Sequence, residues 1–98
     1  MARRSQMEIY MDIIKAVADG REKPTHVMYR ANLSWIRLNR YLDFLVKQGF
    51  LRENLADGGT TFAITQKGKD VLVYYRRIEG ELSVKKRAIP NEVYAHYK

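Results

Sequence analysis

The sequence predicts a mainly α fold with one small β-hairpin, in the order helix, helix, helix, strand, strand, helix. Apolar residues recur at helical spacing in stretches before residue 49 and again after residue 65. Between those stretches, Phe50–Asn54 and Thr61–Thr65 read as strands around Asp57-Gly58-Gly59, a strong turn signal. Gly20, Pro24 and Gly49 fall at the expected joints.

The chain of 98 residues fits one domain, and its 46% hydrophobic content is enough for a small core. A second chain would help complete a core of that size. Lys and Arg number 18 against 11 acidic residues, a net charge of +7. Such an excess favours a polyanionic partner, nucleic acid first and an anionic membrane surface second. There is no Cys, so disulfides and thiolate metal sites are excluded. His26 and His96 lie in no ligand-spacing motif, and no cofactor is expected. No apolar run approaches the ~20 residues of a membrane span. Met1-Ala2-Arg3-Arg4 has no apolar segment behind it and is no secretory signal, so a cytoplasmic protein is expected. With no phosphate-binding glycine motif and no carboxylate pair beside a His, an enzyme is not expected.

Residues 1–4 form a short basic arm, in which Arg3 and Arg4 are candidate phosphate contacts. Ser5 and Glu8 have capping-box spacing. Ile9, Tyr10, Ile13, Ala16 and Val17 then mark the inner stripe of a helix over 5–19, which Asp19-Gly20 ends. Its charges cancel, so this helix reads as scaffold. Pro24-Thr25 opens a second helix through about Ala31, with Val27, Met28 and Ala31 inward and Thr25, His26 and Arg30 outward. Asn32 suits the turn because it tolerates positive φ, and Leu33 plugs that turn against the core.

Ser34 caps the third helix, which Gly49 ends. Leu38, Tyr41, Leu42 and Leu45 share one stripe, with Trp35 and Val46 at its margins. Ile36, Arg37, Arg40, Asp43 and Lys47 fall opposite, and Asp43 is expected to pair with a basic neighbour such as Lys47. Trp35, Tyr29 and Tyr41 read as packed residues rather than ligand contacts. In the hairpin, Phe62 and Ile64 share a face. Two strands alone are marginal, so the hairpin must pack on the helices.

Thr65 caps a last helix over 66–89, ended by Pro90 and followed by an aromatic tail, 90–98. Val71, Tyr75, Ile78, Leu82 and Ile89 follow an a/d heptad pattern with Lys85 at the missing position. Val71, Tyr75, Ile78 and Leu82 are therefore the candidate dimerisation seam, although Gly80 weakens the helix. The alternative is a shorter helix packed on its own domain.

Three helices, a hairpin and a further helix, with a tight second-to-third helix turn, form the plan of a winged helix-turn-helix over 5–65. Met28-Tyr29-Arg30-Ala31-Asn32-Leu33-Ser34, then Arg40-Tyr41-Leu42 and Leu45, resembles the small, basic, dimeric archaeal winged-helix proteins associated with chromatin. These are the Sulfolobus-type ten-kilodalton DNA-binding proteins with a C-terminal coiled coil. Ile64-Thr65-Gln66-Lys67-Gly68-Lys69 fits the same pattern, and the resemblance spans roughly 7–79. It implies a winged-helix fold, duplex DNA as partner and a homodimer formed through the last helix. The departure is at the end, where this chain carries Gly80 and Pro90 within or after the helix.

The resemblance makes 34–48 the recognition helix. Ser34, Arg37, Asn39 and Arg40 are its candidate groove contacts, since Arg grips guanine and Asn adenine bidentately. Lys47, Arg30, Thr25, Arg52, Thr60 and Lys67 are candidate flanking contacts, mostly to backbone. The function expected is a duplex DNA-binding regulator or chromatin protein, nucleoid-associated in the cytoplasm. The competing expectation is a winged helix that docks a protein, for which Ile36 and Phe44 would be the apolar anchors.

Overall fold

The computed structural model describes residues 4–88, with side chains through residue 82. The elements are α1 (Gln6–Ala18), α2 (Pro24–Ala31), α3 (Trp35–Lys47), β1 (Leu51–Ala56), β2 (Gly59–Ile64) and α4 (Gln66–Ala88). Arg3, Ile89 and the tail 90–98 lie outside the described residues, as does the side chain of Lys85.

The central element is α1. Its capping box is complete: Ser5 Oγ accepts from the Glu8 N–H at 3.0 Å, and Glu8 Oε1 accepts from the Ser5 N–H at 2.6 Å. Ile9, Ile13, Ala16 and Val17 are buried as their spacing predicts, and Met11 and Ile14 are buried with them. The burial is wider than one amphipathic stripe because α1 packs against α2, α3, α4 and β2. An apolar helix enclosed on several sides has little face left for solvent.

The α2–α3 turn forms as its residue types dictate. Asn32 takes the left-handed conformation at φ 56°, which Asn tolerates better than most side chains. Leu33 is buried behind it, and Ser34 Oγ accepts from the Arg37 N–H at 3.3 Å to start α3. Val27 and Ala31 anchor α2, while Leu38, Leu42 and Leu45 anchor α3.

The strands run two residues farther toward the tip than expected for β1, and β2 begins at Gly59 rather than Thr61. Pairing is antiparallel from Leu51↔Ile64 to Ala56↔Gly59. That leaves Asp57-Gly58 as the loop, with Gly59 at φ 116°. A two-residue connection lets the ladder zip to its end, which is why the turn is tighter than the Asp-Gly-Gly triplet suggests. Phe62 is buried and its N–H donates to the Glu22 carbonyl at 2.9 Å, tying the α1–α2 loop to the free edge of β2.

At the base of the hairpin, one side chain joins three elements. The Thr65 hydroxyl lies 2.6 Å from the Gly49 carbonyl and 3.0 Å from that of Phe50, and it accepts from the Gly68 N–H at 3.1 Å. It thus caps α4 while holding the ends of α3 and β1. Gly68 is buried so close to this knot that a Cβ would overlap the Phe50 carbonyl oxygen. Close backbone approach, rather than backbone conformation, explains the glycine.

Three sequence expectations are corrected. Tyr29 is not packed but 77% exposed. With Val27 and Ala31 turned inward, the position about 200° around α2 from Val27 must face outward. Trp35 is 48% exposed rather than core. It sits in the first turn of α3, where it lines the cleft beside the hairpin. The heptad seam of α4 is divided: Val71 and Tyr75 pack partly buried on the domain's own core, whereas Ile78 and Leu82 are 57% and 53% exposed. Among the described residues of α4, Leu72, which the heptad pattern leaves outside the seam, is the buried large apolar side chain. The helix continues through Gly80.

Candidate nucleic-acid interface

The outward face of α3 follows from its inward one. At about 100° per residue, positions opposite Leu38, Leu42 and Leu45 are Ile36, Arg40, Asp43 and Lys47, and all are exposed. Arg37 lies on the flank nearest α1, with its guanidinium carbon 5.9 Å from the Tyr41 ring centroid. Tyr41 in turn meets Tyr10 edge-on at 5.4 Å, and Phe44 stacks on Tyr10 at 4.9 Å. This aromatic bank supports the Arg37 flank. A cleft there is lined by Arg4, Gln6, Ile9, Arg37 and Tyr41.

The opposite flank of α3 faces the hairpin across a cleft of about 410 Å³ lined by Lys23, Pro24, Thr25, Trp35, Asn39, Glu53, Gly58, Thr60 and Phe62. Glu53 and Asp43 put negative charge on that side. The positive end of the face is therefore the first half of the helix on the α1 side. Neither Arg37 nor Arg40 has an acidic partner among the described residues. Arg52, exposed on β1, has none there either.

The remaining candidate residues divide by what already engages them. Asn39 Nδ2 donates to the Trp35 carbonyl at 2.9 Å, so its amide closes back onto its own helix. Lys47 pairs with Asp43 at 3.1 Å, as their spacing predicted. Both ends are well exposed, and such pairs contribute little and exchange readily. Arg30 reaches Asp19 at 3.0 Å, also at the surface. Thr25 and Thr60 face each other across the hairpin cleft. Lys67 Nζ donates to the Gln48 carbonyl at 2.7 Å and lies 4.7 Å from the Phe50 ring centroid, bracing the end of α3.

Arg4 is placed differently from a free basic arm. Its guanidinium meets Asp12 at 2.8 Å and donates to the carbonyls of Ala31 at 2.6 Å and Asn32 at 3.0 Å. A cation at the C-terminal carbonyls of α2 is favoured by the helix dipole. Arg4 therefore ties α1 to the turn that aims α3.

Lys23 and Arg21 are cations outside the candidate set. Both are exposed and without an acidic partner among the described residues, and Lys23 lines the hairpin cleft. They flank Glu22 just before Pro24, a helix start where backbone N–H groups also point outward.

A model of the winged helix-turn-helix family matches residues 3–83. The chain belongs to that family. Its helix-turn-helix is the α2–α3 unit and its wing is the β1–β2 hairpin. Relatives occur in Methanocaldococcus jannaschii: the uncharacterized protein MJ0287 is 36% identical over 67 residues, and MJ0290 is 34% identical over 70. The matched segments cover 68% and 71% of this chain but 65% and 31% of those relatives. Among solved structures, Sso10a-2, a DNA-binding protein from Sulfolobus solfataricus, is 28% identical with a TM-score of 0.68, covering 90% of this chain and 95% of that one. The transcriptional regulator BldR, also from Sulfolobus solfataricus, has a TM-score of 0.72 at 18% identity, over 89% of this chain and 65% of its own, a likeness of fold.

Proposed function

We propose that this winged helix is a duplex DNA-binding protein that lays α3 in the major groove and sets the wing against the backbone. The observation that carries the reading is the pair Arg37 and Arg40. They stand exposed on the outward face of the helix-turn-helix, without acidic partners among the described residues, in a chain of net charge +7. The likeness to Sso10a-2, a DNA-binding protein, supports it. The major groove admits a helix of this kind, and guanidinium groups suit both guanine edges and phosphates.

On this reading Arg37 and Arg40 hold the groove, while Lys23, Thr25 and Thr60 line the path of one backbone strand between α2 and the wing, and Arg52, on the other face of the hairpin from Glu53, meets backbone separately. Lys47 joins when the DNA displaces its weak pair with Asp43. Arg4, Asn39 and Lys67 serve the geometry of the helix rather than the nucleic acid. Ser34 acts by capping.

The functional unit proposed is a homodimer joined through α4. Tyr74, Ile78 and Leu82 recur on one side of that helix, 62%, 57% and 53% exposed. The unit acts as a transcriptional regulator or a chromatin protein at the nucleoid. Among the described residues no helix is long and apolar enough to cross a membrane.

A titration against duplex DNA, single-stranded DNA and RNA at several salt concentrations tests the reading. Duplex should bind most tightly, with a log–log salt slope on the order of −4 to −5 for about four to six phosphates per dimer. Equal weak binding to all three would refute groove recognition.

A further inference from the structure

The outward face of α3 carries one large apolar side chain that the fold does not use. Ile36 is 72% exposed in the first turn, about 160° from the buried Leu38. Single exposed apolar residues are ordinary on a surface. The neighbours of this one give it a different meaning. On one side stand Arg37 and Arg40, both without acidic partners among the described residues. On the other, the Ser34 hydroxyl and the Asn39 amide each already make a hydrogen bond within the helix. The Ser34 hydroxyl caps the helix at the Arg37 N–H, and the Asn39 amide donates to the Trp35 carbonyl. The early turns of α3 thus present an aliphatic group flanked by cations. A protein partner that took Ile36 as an apolar anchor would have to supply carboxylates to both guanidinium groups beside it. A polyanion neutralises them.

We propose that Ile36 reads the 5-methyl group of thymine in the major groove, so that the helix favours A·T steps beside its arginine contacts. This rests on the DNA-binding reading above. Thymine is the only base that displays a methyl group in that groove, and an aliphatic side chain is its natural contact. Burying that methyl contributes by the ordinary hydrophobic effect and needs no hydrogen bond. In this account Asn39 is not the adenine reader that its residue type suggests.

The test compares alternating poly(dA-dT) with poly(dA-dU), which differ in the thymine methyl alone. The intact protein and Ile36→Ala are titrated on both, with Arg40→Ala as a control for the groove. Ile36 is exposed, so Ile36→Ala should stay folded, which circular dichroism verifies. The intact protein should bind the thymine duplex about fourfold more tightly for each methyl covered. Ile36→Ala should bind both duplexes alike, near the uracil value of the intact protein. Equal binding of the two duplexes by the intact protein, or a preference that persists in Ile36→Ala, overturns the assignment of Ile36. If Arg40→Ala still weakens binding in that case, only the methyl reading fails. If Arg40→Ala binds as well as the intact protein, the DNA face of α3 fails with it.

Discussion

Alanine at Gly68 and alanine at Gly80 should change stability in opposite directions, although both residues lie in α4. In an open helical position, Gly→Ala gains up to ~1 kcal/mol. Nothing within 4 Å meets a Cβ built at Gly80, so Gly80→Ala should realise most of that gain. At Gly68 the Cβ would overlap the Phe50 carbonyl oxygen and approach Ile64 Cγ1 to 2.8 Å. Overpacking of this kind costs ~1–3 kcal/mol. The Phe50 carbonyl also accepts from the Thr65 N–H at 3.2 Å and lies 3.0 Å from the Thr65 hydroxyl. Moving it weakens hydrogen bonds worth ~1 kcal/mol each. Against at most ~1 kcal/mol of helix propensity, the net is a destabilisation of ~1–3 kcal/mol. Thermal denaturation should show a fall of roughly 5–20 °C for Gly68→Ala and a rise of roughly 4–8 °C for Gly80→Ala. If both variants rise together, the close approach of α4 to the start of β1 is wrong.

Arg4→Ala and Arg37→Ala should give crossed results. The first should lower stability by ~1–3 kcal/mol, since it removes charge-assisted hydrogen bonds and leaves two carbonyls open, and it should leave the salt slope of DNA binding nearly intact. The second should leave stability unchanged and weaken DNA binding by ~1–3 kcal/mol. Urea melts and binding isotherms of both variants separate the roles. Ile78→Asp with Leu82→Asp should convert a dimer to a monomer in light scattering at micromolar concentration, without lowering the helix content of the winged domain. Burial is the first cause of the raised pKa of Tyr75, followed by the charge of Glu79. The folded state therefore holds the phenol proton more tightly than the unfolded state. Stability from this group is complete below about pH 10 and is lost as pH rises through the higher folded value. Denaturant midpoints should fall less steeply above pH 10 in Tyr75→Phe than in the intact protein.

The elements that the sequence reveals are those fixed by local chemistry. Ser5 with Glu8, Asn32 with Ser34, and Thr65 with Gly68 are short-range signals, and each forms the cap or turn its spacing describes. The outward face of α3 is legible for the same reason, because Leu38, Leu42 and Leu45 leave it no other orientation. What could not be read depends on contacts between distant residues. Arg4 meets the α2–α3 turn 27 and 28 positions away. Glu22 accepts from Phe62 across the wing. Met11 and Ile14 are buried only because other elements surround α1. The heptad in α4 is ambiguous because a helix can place the same residues against its own domain as easily as against another chain. Val71 and Tyr75 show that its first half packs on its own domain. At the candidate interface, residue type singled out Asn39, but its hydrogen bond to the Trp35 carbonyl, four residues back, could not be read from residue type alone.

The central claim is that α3 meets duplex DNA through Arg37 and Arg40. Its most direct test is the affinity of the folded double variant Arg37→Ala, Arg40→Ala for duplex DNA across salt concentration. Weaker binding is the predicted result, with the salt slope shallower by about 1 for each phosphate that no longer meets a cation. An unchanged affinity and an unchanged slope in a variant that melts like the intact protein would contradict it.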